Sequence, residues 1–327
     1  MRSLAVVPTC AAGLTLGLAL SESTPLWGAD PKAQDVKITV LSTMLADQGV
    51  GEWGFAALVE VDGYRLLFDT GAREDTVLRN AEELKVDLAG VTDVLLSHNH
   101  GDHTGGLLKL RETLRSKNPG ALARAHAGPG IFLPRRAQGR GDTEVNRMLA
   151  VRPAYEATGA RIVEHPRPER LAPGVWLTGA ITRRHPERNY PKGVTVVTPE
   201  GAVEDTIPED LSLVIDGKDG LVVVTGCGHA GIANILSQAR EMVPGVPVKA
   251  VLGGLHLYDA DDKTLAWTAD QMRLAGVQHL MGAHCTGIEA VYRLRALLGL
   301  ERRTAVVGAV GSGYSSADGL DPGRLAR

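Results

Sequence analysis

The sequence predicts an α/β fold built as a layered sandwich, with two sheets packed on each other and helices outside. Short β-branched runs alternate with amphipathic stretches from Val36 onward, tight turns join neighbouring strands in both halves, and strands in both halves end at histidines. The tight turns decide against a doubly wound parallel sheet, because parallel neighbours need crossover connections instead.

Residues 37–44 (KITVLSTM), 56–61 and 65–68 read as strands, the last two forming a hairpin across Asp62-Gly63. Residues 74–84 have helical spacing, with Val77, Leu78, Ala81 and Leu84 on one face. Residues 91–96 form a strand that leads into a histidine cluster, and residues 107–114 a helix beyond it. In the second half, 211–215 and 221–225 are strands joined across 217–220. They are followed by a helix over 232–242, a strand over 248–252, a helix around 264–274, a strand over 279–281 and a helix over 288–298. Residues 128–210 are rich in Pro, Gly and Arg and carry no clear period. No linker interrupts the pattern, so one domain is expected over residues 36–310, with a C-terminal tail over 311–327.

Residues 1–29 differ from the rest: Arg2, an uncharged apolar stretch over 4–20, then polar Ser21-Glu22-Ser23. This reads as an export signal, cleaved near Ala19-Leu20-Ser21 or Gly28-Ala29, and too short for the roughly 20 apolar residues of a comfortable membrane span. A periplasmic or secreted protein is expected; the alternative is an uncleaved anchor. Val7-Pro8-Thr9-Cys10 lacks the small residues of a lipidation site. Loss of Cys10 with the signal leaves Cys227 and Cys285, too few for a disulfide scaffold, and each near a histidine. A net charge of −3 and a pI near 6.4 give no basic field for nucleic acid, so a small-molecule substrate is the expected partner.

Residues 96–106 read LSHNHGDHTGG. In an extended chain His98 and His100 point the same way, since side chains alternate with a period of two. Gly101 is expected to turn the chain so that Asp102 and His103 face a second metal, and Thr104 to cap a helix opened by Gly105 and Gly106. Zinc prefers imidazole nitrogen with an occasional carboxylate, and two-metal sites span about 3.5–4 Å. A solvated histidine-rich loop is the plainer alternative, disfavoured by four candidate ligands in six residues between a strand and a helix start.

Ser97-His98-Asn99-His100-Gly101-Asp102-His103 resembles the His-x-His-x-Asp-His signature of the metallo-β-lactamase superfamily, with a strand ending Leu67-Phe68-Asp69-Thr70-Gly71 ahead of it. The resemblance covers residues 36–310. It implies a four-layer αββα sandwich, metallo-β-lactamase-like, holding one or two metal ions, usually zinc, at its edge. Thr225-Gly226-Cys227-Gly228-His229, Gly253-Gly254-Leu255-His256-Leu257 and His284-Cys285-Thr286-Gly287 resemble one subgroup, the dihydropteroate synthase-like relatives of an archaeal dihydropterin ribofuranosylaminobenzene-phosphate synthase. That subgroup implies His98, His100 and His229 on one metal and Asp102, His103 and His284 on the other, with water between. Two zinc ions are expected, with iron or manganese as alternatives, and Asp102 also orients the attacking hydroxide.

Cys227 stands where many relatives carry a bridging aspartate; it is either a thiolate ligand or a small buried hydrophobe. Cys285 follows His284 directly and is expected to point away from it, packing or supporting a ligand. Asp69 either accepts the free N–H of a ligand histidine or only forms a turn. His256 lines the substrate pocket, supports a ligand, or makes a structural hydrogen bond. His126, His165 and His185 have no partner at ligand spacing, and Arg183, Arg184 and Arg188 around His185 suggest a surface loop. Gly101, where the subgroup usually has Tyr, and Asn99, where it often has Gly, imply a wider pocket.

Gly49-Val50-Gly51-Glu52-Trp53-Gly54 matches a dinucleotide fingerprint by letter, but a strand follows it instead of the helix that would receive a pyrophosphate. It is either a rim loop presenting Trp53 and Phe55 to substrate or a tight turn with one aromatic packed inward. Arg135-Arg136 and Arg183-Arg184 are candidate anion binders or solvated faces.

The expected function is an exported metal-dependent hydrolase using zinc-activated hydroxide on an ester-, phosphoester- or amide-type substrate. The alternatives are a dihydropteroate synthase-like transferase, which export disfavours, and a metal-binding protein without turnover. A diiron reductase is disfavoured because that branch usually has a carboxylate where His100 stands.

Overall fold

The computed structural model describes Met1 and residues 31–325, so the predicted export signal, with Cys10, lies outside the described residues. Two mixed sheets form the centre. The first has eight strands in the order Gly319–Asp321, Gly313–Ser315, Val36–Ser42, Ala56–Val61, Tyr64–Phe68, Asp93–Leu96, Arg124–Ala127, Arg161–Glu164. The second has seven, in the order Ala305–Val307, His279–Gly282, Val248–Gly253, Gly220–Thr225, Ser212–Gly217, Val175–Leu177, Glu169–Ala172. Both predicted hairpins are present, Val61 pairing with Tyr64 and Gly217 with Gly220. Beyond each hairpin the strands run parallel, through helical crossovers.

Alternation along the strands builds the layers. Ala57, Val59 and Val61 of one strand and Val222 and Val224 of another meet between the sheets. Their neighbours Ala56 and Leu58 face helices Thr76–Glu83, Leu107–Arg115 and Met148–Ala157, while Leu221 and Val223 face Ile232–Met242, Asp262–Ala275 and Ile288–Leu298. The result is the four-layer αββα sandwich. Each large aliphatic side chain fully buried here contributes about 1.5–3 kcal/mol. No helix of the described residues is long and apolar enough to cross a membrane.

Two expectations change. The predicted tail is part of the domain: Gly313–Ser315 pairs with Val36–Ser42, and Gly319–Asp321 extends that edge. The unassigned middle contains helix Met148–Ala157 with Pro153 inside it, and a small sheet of Arg135–Ala137, Val194–Thr198 and Gly201–Glu204.

Candidate metal centre

The candidate donors sit just past the carboxyl ends of parallel strands from both sheets. Asp69 follows Tyr64–Phe68, His98 and His100 follow Asp93–Leu96, Cys227 and His229 follow Gly220–Thr225, His256 follows Val248–Gly253, and His284 follows His279–Gly282. Parallel strands of two facing sheets end on one side of the sandwich, so residues as distant in the chain as Asp69 and His284 converge there. Asp69, His256 and His284 have φ of 55°, 50° and 46°. Such left-handed backbone costs a non-glycine residue about 1–3 kcal/mol and clusters at functional sites.

The motif is shaped differently from expectation. A four-residue helix, Gly101–Thr104, carries Asp102 and His103, with His100 as its N-cap residue in extended conformation. Thr104 is therefore not the cap of the next helix; its hydroxyl donates to the His100 carbonyl at 3.0 Å. Gly101 has no positive φ, so no special turn demands it. Gly105 and Gly106 are needed instead for close approach, since a Cβ would lie 2.1 Å from the Ala72 carbonyl oxygen and 2.4 Å from that of Thr70.

Hydrogen bonds assign the tautomers. The Asp69 carboxylate accepts from Ser97 N at 2.7 Å and from Ser97 Oγ at 2.8 Å, and its Oδ2 lies 2.7 Å from His103 Nδ1. Having given its proton to Asp69, the Ser97 hydroxyl accepts from His98 Nδ1 at 2.9 Å. His229 Nδ1 donates to the Asn189 carbonyl. His98 and His229 thus commit the proton on Nδ1 and leave a lone pair on Nε2, whereas His103, held through Nδ1 by Asp69, points Nε2 at the same centre and must shed a proton there to coordinate. This is the arrangement that outer carboxylates and carbonyls impose on metal-binding histidines.

Those lone pairs converge. Donor atoms of His98, His100 and His229 lie within 4.8 Å of one another, as do those of Asp102, His103 and His284, and those of His98, His103 and Cys227. His98 Nε2, His229 Nε2 and both ring nitrogens of His284 are buried without a hydrogen bond; His284 Nε2 lies 3.2 Å from Asp102 Oδ2 but is not aligned with it. An unpaired buried polar atom costs about 1–3 kcal/mol. One such nitrogen on each of His98, His229 and His284 is explained by an ion that it would coordinate, and imidazole with carboxylate is a zinc donor set.

Electrostatics agree with this reading. Burial, reinforced by neighbouring imidazoles, pushes His98 and His229 far below the ordinary histidine value, and burial holds His100 at about 4 despite nearby Asp102. Burial also opposes charge on His103, but the carboxylates of Asp69 and Asp102 outweigh it and raise the value to about 9. Burial opposes ionisation of Asp102, yet His103 and His284 hold it below the usual carboxylate range.

Cys227 Sγ lies 3.1 Å from His103 Nε2 and 3.2 Å from Cys285 Sγ; both cysteines are buried free thiols. Burial and the adjacent sulfur push the Cys227 thiol up. The ring of His256 is 4.6 Å from that of His229, and its Nδ1 is buried without a partner.

Around the site, Trp53 is half exposed, with its ring 4.7 Å from His284 and 5.9 Å from Tyr258. Phe55 does not share the rim: it is buried between the sheets. Glu52 organises the same loop, accepting from Ser42, Ala72, Arg73 and Thr76. The arginine pairs are largely engaged elsewhere. Arg135 is buried against Asp205 at 2.6 Å and Glu209 at 2.7 Å, and Arg136 pairs with Glu144. Arg183 donates to the carbonyls of His229 and Thr206, and Arg184 pairs with Glu241.

His126 and His165 do have partners, brought in from distant strands. His126 Nε2 faces Asp93 at 2.8 Å, its Nδ1 faces His165 Nε2 at 2.8 Å, and His165 Nδ1 faces Glu169 at 2.7 Å. His185 meets Ser237, away from the donors. Ser97 and Asn189 were not anticipated. Ser97 adjoins the motif, whereas nothing local marks Asn189.

The chain matches the metallo-beta-lactamase superfamily over residues 54–238, more than half its length. It belongs to that superfamily. Across 276 residues it is 30% identical to the 7,8-dihydropterin-6-methyl-4-(beta-D-ribofuranosyl)-aminobenzene-5'-phosphate synthase of Methanocaldococcus jannaschii, covering 79% of this chain and 90% of that protein. Its fold is similar to the crystal structure of Tm1679, a metal-dependent hydrolase of the beta-lactamase superfamily. There the TM-score is 0.69 and the identity 27%, covering 85% of this chain and 98% of the other. YhfI from Bacillus subtilis shares the metallo-β-lactamase fold at a TM-score of 0.53 and 15% identity, covering 86% and 100%. Superfamily members bind metal ions, and the histidine, cysteine and aspartate groups above are the candidate ligands here.

Proposed function

We propose that this superfamily member is a metal-dependent hydrolase, with His98, His100 and His229 holding one zinc ion and Asp102, His103 and His284 a second. The observation that carries the reading is the set of buried, hydrogen-bond-free ring nitrogens on His98, His229 and His284. Zinc supplies a nucleophile from water near neutral pH and polarises the bond to be cleaved. The chain's own residues fix the geometry. Asp69 and Ser97 orient His98 and His103, the Asn189 carbonyl orients His229, and Asp102 keeps a negative charge that can accept a hydrogen bond from water and orient it. Trp53 and Tyr258 form an apolar wall on the His284 side.

The test is metal analysis of purified protein, followed by activity on phosphodiester, lactam, lactone and thioester substrates. About two zinc ions per chain are expected, with activity lost on chelation and on His98→Ala. Less than about half an equivalent of any transition metal, with no effect of His98→Ala, overturns the reading.

A second reading, a transferase, is supported by the 30% identity to the archaeal synthase. Consumption of a dihydropterin only in the presence of an aminobenzene co-substrate, with no hydrolysis across the panel, favours it. We also propose export directed by residues 1–29, checked by cell fractionation and by sequencing the mature N-terminus.

A further inference from the structure

Beside the histidine motif opens a cavity of about 520 Å³ whose floor is Asn99, His100, Gly101 and Asp102. Arg140 and Arg147 line its wall. Both side chains are exposed, and neither makes a hydrogen bond, ion pair or ring contact among the described residues. The remaining charges that line it are accounted for: Asp205 is neutralised by Arg135 at 2.6 Å, Arg135 is shared with buried Glu209, and Asp102 faces His103 and His284. The two guanidiniums are thus the uncommitted charges of this wall. Arg147 is also close to the motif itself, its Nη1 only 3.7 Å from where a Cβ on Gly101 would stand. Since Gly101 is not required by its backbone, its lack of a side chain has a different consequence: it leaves the space in front of the Arg147 guanidinium on this side of the cavity unfilled.

We propose that this cavity binds an oxyanion group of the substrate, a phosphoryl or carboxylate, with Arg140 and Arg147 as its positioning residues. Planar guanidinium groups match such oxygens in a bidentate way, and unpaired arginines have no existing partner to give up on binding. The site thereby selects anionic substrates and sets the reacting bond over the donors. This rests on the hydrolase reading for its purpose, but not for its existence.

The test is calorimetric binding of inorganic phosphate to the purified full chain, compared with the double variant Arg140→Ala/Arg147→Ala and with Gly101→Phe, at matched metal content. Thermal unfolding checks each fold. At least a tenfold loss of phosphate affinity in both variants is expected, with a steeper salt dependence for the wild type. Unchanged affinity in the double variant shows that phosphate is held by metal alone and overturns the proposal. So does absence of binding by the wild type up to on the order of 10 mM phosphate. Arginine-dependent binding in a protein that holds no transition metal leaves the anion site standing and removes the hydrolase reading, so the two failures are distinguishable.

Discussion

The Asp69 carboxylate lies 2.7 Å from His103 Nδ1, and through Ser97 Oγ it also fixes the ring of His98. One side chain at the end of strand Tyr64–Phe68 therefore orients a candidate ligand in each metal triad. Removing such an orienting group typically costs 10- to 100-fold in metal affinity. Asp69→Ala is expected to weaken zinc binding by about that factor, measured by chelator competition, while His100, which Asp69 does not touch, stays in place. Wild-type affinity in Asp69→Ala would falsify the orienting role.

Metal loading is expected to release a proton. In the metal-free protein His103 stays charged up to about pH 9, whereas His98 and His229 are neutral far below the ordinary range. Coordination through His103 Nε2 must displace its proton, so at least one proton per chain should appear near pH 8, and a second where the ion also deprotonates the Cys227 thiol, read by calorimetry in buffers of different ionisation enthalpy. The same values set the stability profile of the metal-free protein. A raised His103 value stabilises below the unfolded value of about 6.5, and that contribution is lost as pH rises through about 9. The depressed values of His98, His100 and His229 act oppositely, so stability also falls as pH drops through about 6.5, where the unfolded chain takes up their protons. A denaturant series with a maximum between these limits supports the assignment; a flat profile contradicts it.

What the sequence carried well was whatever is local. Helices Ile232–Met242 and Ile288–Leu298 have the bounds that periodicity predicts, and the histidine motif lies in consecutive residues. What it did not carry depends on distant partners. Strands Gly313–Ser315 and Gly319–Asp321 are three residues each and exist because an open edge accepts them. Arg135 looked available for anions because Asp205 and Glu209, some seventy positions away, neutralise it only after folding. Helix Met148–Ala157 hid behind Pro153 and a narrow apolar face of Met148 and Tyr155.

The two glycine types around the motif should respond oppositely to alanine. At Gly105 and Gly106 the new methyl meets backbone oxygens of Ala72 and Thr70, which cannot swing aside. Gly105→Ala and Gly106→Ala are expected to destabilise by about 1–3 kcal/mol or more. Gly101→Ala meets nothing nearer than 3.7 Å and removes a helical glycine, so it should be neutral or stabilise by about 0.5–1 kcal/mol. Urea denaturation midpoints decide; equal effects at all three positions would refute the distinction.

Trp53 should report on the centre. Its half-exposed ring is 4.7 Å from His284, whereas buried Trp176 lies in the apolar layer under the second sheet and Trp267 sits by His185. Titration with cobalt, a quenching ion, is expected to reduce the fluorescence of the wild type but leave that of Trp53→Phe almost unchanged. A quench that persists in Trp53→Phe would place the responding indole elsewhere.

Cys227 occupies the place between the two triads where a bridging carboxylate is absent. Its sulfur is 3.1 Å from His103 Nε2 and groups with His98 and His103. Zinc–sulfur and zinc–nitrogen bonds of about 2.3 and 2.0 Å put neighbouring donors on one ion at roughly this separation, slightly expanded. Burial keeps the thiol protonated in the metal-free protein, but a bound divalent ion deprotonates a coordinating thiol outright. Cys285 touches Cys227 at 3.2 Å and groups with Cys227 and His256 but with no member of either histidine triad, so its sulfur should stay off the two triad ions. Cobalt-substituted protein is therefore expected to show a near-ultraviolet thiolate charge-transfer band that survives Cys285→Ser and vanishes in Cys227→Ser. If the wild type lacks the band, Cys227 is a packed thiol and the triads hold their ions without it.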